Sequence, residues 1–473
     1  MRLLIVGGGG FRVPLIYRAL VSGPFTGVVT ELVLYDVDLS RLAAVTAVLR
    51  SMPVAGASLP VHPTTNLPEA LQGTRMVFAA IRPGGTAGRV ADEKVAQDLG
   101  LLGQETTGAG GISYALRTIP HMLDLAHLMR EHCPDAWLIN FTNPAGMVTE
   151  ALVPVLGRRV IGICDSAGGL VHRAARAAGI TLPEGALDGV GYYGLNHLGW
   201  LYRLESGGRD VLPALLSDPQ ALQSFEEGRL FPQPFLARLG ALPNEYLYYY
   251  YQQDAAREAM RAMSATRGES IHSQQQELYP RLAAAGGKAF GLWEAARRSR
   301  EEGYLAEARG QDERRDEADL AGGGYERVAL AAMRALSGSG HAQLVLNTRN
   351  TLPSEPAATA AHQPFTAQPS TSEAAIPGLP ADAVVELPCT ITPDGVLPLA
   401  QQSPPPEQLR LLRQVKDVEQ LTVRAVAEGD RDAAFQAFAR HPLVGSDELG
   451  AALLAGYEQA FPALGKLWRG GTR

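Results

Sequence analysis

Cysteine is scarce in this chain: three occur in 473 residues, Cys133, Cys164 and Cys389. An odd, widely spaced set offers no disulfide framework and fits a reducing compartment, so a cytoplasmic protein is expected. Long apolar runs are missing too. No unbroken stretch reaches the roughly 18 residues that a membrane-spanning helix needs. Met1-Arg2 leads straight into Leu3–Val6 and then glycines, so no secretion signal is expected. Basic runs are absent, and 42 Lys plus Arg stand against 49 Asp plus Glu for a formal charge of −7. That balance excludes nucleic acid and anionic membrane as main partners and leaves a small molecule. No repeat of fixed period is visible. With 46% hydrophobic and 19% charged residues, the chain is too apolar for disorder. Its length exceeds one ordinary core of about 100–200 residues, so two or three packed lobes are expected.

The first half alternates short apolar runs, Leu3–Val6, Glu31–Tyr35, Met76–Ile81, Ala136–Ile139 and Val160–Ile163, with helical patterns such as Ala115–Glu131. Such runs are typical of parallel strands buried on both faces, which gives a Rossmann-like, doubly wound α/β domain over 1–195. From about Leu195 the pattern turns to long helical stretches, including Gln252–Met263 and Phe290–Arg309, with strand-like Gln343–Asn347 and Val384–Pro388 between them. Residues 196–473 therefore read as a mostly helical α+β lobe for substrate, metal and subunit contacts. Leu352–Ala381, dense in Pro, Ala, Ser and Thr, reads as an exposed loop without chemistry of its own.

Leu3–Val6 runs into Gly7-Gly8-Gly9-Gly10, and the next strand ends in Asp36. Glycines between a first strand and first helix let backbone approach a pyrophosphate at the positive helix end, and an acid at the tip of strand two can take the adenosine ribose. A tight turn alone would explain the glycines; the strand context and Asp36 favour a dinucleotide, and NAD over NADP, with Arg41 nearby as the countervailing charge. Cys164-Asp165 follows another strand, and His197 sits in Gly194-Leu195-Asn196-His197. One Cys and one His can hold a divalent ion while leaving positions for substrate oxygens. Taken singly, each is ordinarily a small core residue or a satisfied polar group.

Several motifs together resemble the NAD- and metal-dependent glycoside hydrolases of family four, especially the 6-phospho-β-glucosidases. They are Gly103-Gln104-Glu105-Thr106-Thr107-Gly108, Asn140-Phe141-Thr142-Asn143-Pro144, Gly162-Ile163-Cys164, Gly194–His197, Asn244-Glu245-Tyr246-Leu247-Tyr248-Tyr249, Thr266-Arg267 and Asn347-Thr348-Arg349-Asn350. They keep the family's order through His441–Val444 and so cover nearly the whole chain. The resemblance implies hydrolysis without the usual two-carboxylate mechanism. NAD+ takes hydride from C3, a base removes the acidified C2 proton, the aglycone leaves, water adds, and the hydride returns. It makes Cys164 and His197 the metal pair, Mn2+ the ion, and Tyr246 the C2 base. A phenol titrates near ~10 in water, so that role needs a nearby cation. Tyr248–Tyr251 would pack or face the aglycone. Asn143 and Asn196 would contact the sugar, Arg89 and Arg267 its phosphate through charged forks, and Glu105 a cofactor hydroxyl or metal-bound water.

Some positions depart from the family pattern. Gly10, Phe11, Arg12 and Val13 stand where hydroxyl residues usually precede the proline, so the Gly10 amide or Arg12 would have to meet the cofactor phosphate. Asp165 matches the α-glucoside branch, where it resembles a general acid, while Gly103–Gly108 and Asn140–Gly146 match the β branch. A 6-phospho-β-glucosidase is the leading expectation, working as a homodimer or homotetramer. A 6-phospho-α-glucosidase or unphosphorylated-glycoside hydrolase, a 2-hydroxy-acid dehydrogenase and a non-enzymatic sensor are the competing readings. A dehydrogenase would not require the Cys–His pair.

Overall fold

The structure is a computed structural model. It describes all residues except 55–58, 184, 309–314, 316–323, 353–372 and 469–473. Six parallel strands open it: β1 (Arg2–Val6), β2 (Glu31–Tyr35), β3 (Val61–Thr64), β4 (Met76–Ala79), β5 (Trp137–Asn140) and β6 (Val160–Gly162). They lie in the order β3-β2-β1-β4-β5-β6, the doubly wound arrangement expected from the alternating pattern. Successive side chains of a strand point to opposite faces. Thus Leu3 and Ile5 enter one core, beside the helices α1 (Val13–Val21) and α2 (Leu39–Ser51). Leu4 and Val6 enter another, beside α5 (Ala109–His132) and α6 (Ala145–Leu156). Each such buried Leu, Ile or Val contributes about 1.5–3 kcal/mol, and burial on both faces explains runs without polar alternation.

The second half builds no separate sheet among the described residues. Its strands β7 (Val190–Leu195), β8 (Leu198–Ser206), β9 (Arg209–Asp210), β10 (Leu242–Pro243), β11 (Ala342–Arg349), β12 (Val384–Thr392) and β13 (Gly395–Pro398) extend the first one in antiparallel fashion. β11 pairs with β6, β12 with β11, β7 with β12, β8 with β7 and β10 with β8. β13 and β9 hang on β12 and β8. Helices Pro406–Glu428, Arg431–Arg440 and Asp447–Ala460 pack with α4 (Gly85–Asp98) and α5 in a third apolar cluster. There Tyr457 Oη donates to the Asp92 carbonyl at 2.9 Å, and the Asp92 carboxylate takes both arms of Arg117 at 2.7 Å. α4, which carries Arg89, is fixed in place by these bonds.

Of the expected loop Leu352–Ala381, residues 353–372 lie outside the described residues, as does Arg309 at the end of the Phe290–Arg309 pattern. The described remainder of the loop is irregular and of mixed exposure, with Glu373, Gly378 and Pro380 exposed and Ala375, Ile376 and Leu379 buried. Ala375 and Ile376 are fully buried, because the Asn350 side chain donates to the carbonyls of Ile376, Leu379 and Pro380 and accepts from the Ile376 amide. No described helix is long and apolar enough to cross a membrane.

Candidate active site

A cleft of about 1990 Å³ runs over the carboxyl ends of the parallel strands, where open α/β sheets bind ligands. One end is the glycine turn. Gly7 and Gly8 donate to the Tyr35 carbonyl at 2.9 and 2.7 Å, and Gly10 donates to the Gly7 carbonyl at 2.9 Å. Gly7 has φ +95°, and a Cβ there would stand 2.5 Å from the Ala80 carbonyl oxygen; at Gly8 it would meet Leu34 Cβ at 2.7 Å, at Gly9 Arg41 Cβ at 2.6 Å. Packing therefore demands these glycines whatever they bind. Asp36 locks the turn, accepting from Gly9 N at 2.9 Å and Asp38 N at 3.1 Å, and keeps lone pairs for a ribose. The Gly10 amide and Arg12 are both engaged within the protein: Arg12 Nη2 lies 3.3 Å from Glu301 Oε1. The Phe11 and Arg12 amides, at the start of α1, have no hydrogen-bond partner among the described residues. Unpaired amides at a helix N-terminus suit a pyrophosphate, so the residues present fit NAD.

Deeper in the cleft, Cys164 Sγ stands 3.5 Å from His197 Nε2. Cys164 lies just beyond the end of β6. His197 sits in the two-residue turn Asn196-His197 between β7 and β8, with φ +64°, a left-handed conformation uncommon for a non-glycine residue. Asn196 holds the turn by accepting from the Ala145 amide at 3.1 Å and donating to Glu386 at 3.5 Å. Two donors sharing one small divalent ion, at metal–sulfur and metal–nitrogen distances of about 2.3 and 2.1 Å, stand about 3–3.6 Å apart. The pair fits such an ion. Among the described residues no third His, Cys, Asp or Glu joins them, which leaves the remaining positions for ligand oxygens. Burial, then the charges of Asp165 and Glu386, push the Cys164 thiol well up. Burial pulls His197 down to about 3, so it is neutral and ready to ligate.

Tyr246 stacks on the His197 ring, centroids 3.7 Å apart and planes within 12°. The placement follows from strand pairing. β10 pairs with Leu201 and Trp200 of β8, and Asn244 N donates to the Gly199 carbonyl at 2.9 Å, so the short Glu245–Leu247 helical turn lands over the β7–β8 turn. Tyr304 Oη lies 3.3 Å from Tyr246 Oη and 3.2 Å from Glu245 Oε1, which accepts from Ser166 Oγ at 2.6 Å. Burial, then Glu245 and Cys164, push the Tyr246 phenol well above its ordinary value. Only a neighbouring cation can reverse that field.

Residues 2–180 match the model described as "Family 4 glycosyl hydrolase", and 192–444 match its C-terminal domain. The chain belongs to family 4 of the glycosyl hydrolases. A "Probable 6-phospho-beta-glucosidase" of Bacillus subtilis (strain 168) is 28% identical over 466 residues, covering 96% of this chain and 95% of that protein. The 6-phospho-beta glucosidase of Thermotoga maritima, solved with NAD and glucose-6-phosphate, has 25% identity and a TM-score of 0.77, covering 98% of this chain and 99% of that one. The same enzyme has been solved with manganese, NAD+ and glucose-6-phosphate. A 6-phospho-alpha-glucosidase from gut microorganisms, in complex with NAD and glucose-6-phosphate, gives 25% identity, a TM-score of 0.76 and 98% coverage of both chains.

Among the expected family 4 site residues, Gly7, Gly10, Asp36, Glu105, Arg89, Asn143, Cys164, Asp165, His197, Tyr246 and Arg267 all line this one cleft; Gly8, Gly9 and Asn196 adjoin lining residues without lining it themselves. Asn143 Oδ1 is buried without a partner among the described residues, and Asp165 Oδ1 is 4.0 Å from Cys164 Sγ. Arg89 is compensated, with Glu93 at 2.8 Å and Glu105 at 2.7 Å. Glu105 also pairs with Arg82. Burial alone would raise the Glu105 carboxyl, but Arg82, Arg89, Arg300 and Arg267 outweigh it and hold it at about 2. Tyr248 and Tyr249 are buried, with Tyr249 Oη on Glu307 at 2.6 Å, which is packing. Arg82, Arg300 and Tyr304 also line the cleft, and no motif marks them. Arg300 lies on the helix Ala289–Glu302, Tyr304 in the turn just after it and Arg82 in the loop between β4 and α4, and none of these local patterns separates a cleft-facing residue from a solvated one.

Proposed function

We propose that the protein hydrolyses 6-phospho-glucosides with NAD and a divalent ion, Mn2+ by preference, as its cofactors. The observation that carries this reading is the Cys164–His197 pair, 3.5 Å apart, in the same cleft as the glycine turn and Asp36. The likeness to the Bacillus subtilis and Thermotoga maritima proteins supports it. When bound, the two cofactors supply a hydride acceptor and a Lewis acid. The chain's own residues do the rest. Gly7–Gly10 and Asp36 seat the nucleotide, and Cys164 and His197 hold the ion. Tyr246 takes the C2 proton, reaching a phenolate only beside the cation that its stacking partner holds. Asp165, at the start of α7 (Ser166–Ala177), gives a proton to the leaving oxygen. Asn143 contacts sugar hydroxyls, and Asn196 keeps His197 in position. Arg89 and Arg267 face the phosphate, and Glu105 fixes Arg82 and Arg89 in place.

The nucleotide is assigned to 1–195, and substrate and subunit contacts mainly to 196–473. A homo-oligomer, dimer or tetramer, is proposed, with a cytoplasmic location in keeping with three free, buried thiols. The β linkage is preferred because the Bacillus subtilis relative that spans nearly the whole chain bears that name; Asp165 favours the α linkage. The test is a panel of α- and β-linked glucosides, with and without 6-phosphate, assayed with NAD+ and Mn2+ together and with each removed. Turnover of a 6-phosphorylated substrate that needs both supports the reading. Full activity in cofactor-free, metal-stripped protein refutes it.

A further inference from the structure

The cleft that holds Tyr246 is rich in arginine, and several of its charges are matched. Arg12 meets Glu301, Arg82 meets Glu105, and Arg89 meets Glu93 and Glu105. Two are not. Arg267 spends its guanidinium on the carbonyls of Gly303 and Arg300, which are neutral. Arg300 forms no ion pair among the described residues, its Nε is buried without a partner, and its guanidinium rests 5.0 Å from the centre of the Phe11 ring. Both line the cleft. Both residues are half-buried, and a guanidinium partly withdrawn from water without a carboxylate favours the arrival of something anionic. Burial, then Arg12, Arg267 and Arg89, pull Arg300 down to about 9. It still carries its charge at neutral pH, against its neighbours' repulsion.

We propose that Arg300 and Arg267 together form the clamp for the substrate's phosphate, with Arg300 adding uncompensated charge to that of Arg89, which Glu93 and Glu105 already pair. This rests on the phospho-glucosidase reading. The Arg267 guanidinium lies 5.2 Å from the Tyr304 ring centre, and the Tyr304 hydroxyl is 3.3 Å from that of Tyr246. One phenol therefore separates Arg267 from the base, the relation expected between a sugar's phosphate and its reacting carbons. Two forks that converge on one dianion form parallel charged hydrogen bonds and relieve their mutual repulsion. A phosphoryl group could also come from the cofactor's pyrophosphate, so the test must separate the two sources.

Glucose 6-phosphate and glucose are titrated calorimetrically into the protein loaded with NAD+ and Mn2+, and NAD+ into the metal-loaded protein, for wild type, Arg300→Gln and Arg300→Lys. Arg300→Gln is expected to weaken glucose 6-phosphate at least tenfold, to change NAD+ less than twofold, and to leave the ligand-free Tm unchanged or higher. Arg300→Lys should restore part of the loss. Loss of NAD+ affinity with glucose 6-phosphate unaffected assigns Arg300 to the cofactor and overturns the clamp. A lowered Tm with no change in either affinity makes it structural and overturns the clamp too. If wild type prefers glucose 6-phosphate to glucose and Arg300→Gln keeps that preference, the clamp fails alone. A wild type that does not discriminate overturns the phosphate reading along with the clamp.

Discussion

As the proposed ligands of the ion, Cys164 and His197 start from different protonation states, and that difference is measurable. The thiol is pushed well up by burial and by Asp165 and Glu386, while the imidazole is already neutral, with its value down at about 3. Loading a divalent ion therefore releases one proton, from sulfur. Below the thiol's own pKa, affinity rises with pH by about tenfold per unit. Competitive titration between pH 6 and 8 is expected to give a slope near one; a flat profile would remove Cys164 from the ligand set. Cys164→Ser should weaken the ion about 100-fold or more and leave NAD+ binding unchanged. The neighbouring question of NAD against NADP turns on Asp36 and Arg41. Arg41 Nη2 bonds Tyr279 Oη at 2.6 Å, and the guanidinium lies 3.9 Å from that ring's centre, so it is tethered away from a 2′-phosphate. NAD+ is expected to bind at least about tenfold tighter than NADP+, and Asp36→Ser to narrow the gap; equal affinities in wild type would contradict this.

The elements differ in how far the sequence reveals them. The β1–α1 turn is local: strand, four glycines, helix and Asp36 lie within 36 residues, and all of it is legible. Its tightness gives a direct test. Gly7→Ala places a Cβ 2.5 Å from the Ala80 carbonyl oxygen at φ +95°, a conflict of about 2 kcal/mol or more, read as a Tm lower by several degrees and weaker NAD+ binding. An unchanged Tm would mean that the turn has room. The Cys–His pair is not local. Strands β11 and β12, from nearly 150 residues later, lie between β6 and β7, so no reading of spacing could bring the two side chains together; only the family motifs did. Arg300 and Tyr304 escape because nothing in Phe290–Arg309 separates cleft-facing charge from a solvated helix face.

At the scale of the molecule, the composition shift near Leu195 marks a change of element type but not a break in the sheet, because antiparallel strands with a mixed apolar pattern joined the first sheet rather than building another. One continuous sheet, with Lys416 buried between Glu150 and Glu419, ties the late helices to α6. A single calorimetric transition is expected, and Lys416→Ala should cost about 3–5 kcal/mol by stranding two carboxylates; two well-separated transitions would contradict the coupling. Acid sensitivity has opposing parts. His197 and His441, both down at about 3 in the fold, lose stability as pH falls below about 6.5, where the unfolded chain takes up their protons. Glu245 and Glu386, raised to about 7 by burial, act with the opposite sign between about 4.5 and 7. His441→Gln isolates one histidine: its stability relative to wild type should improve by about 1.4 kcal/mol per pH unit below 6.5. Anomalous diffraction from crystals grown with Mn2+, NAD+ and glucose 6-phosphate addresses the ion directly. One manganese peak within bonding distance of both Cys164 Sγ and His197 Nε2, touching the sugar beside the nicotinamide, is the expected result; a peak elsewhere, with those two side chains bare, would contradict it.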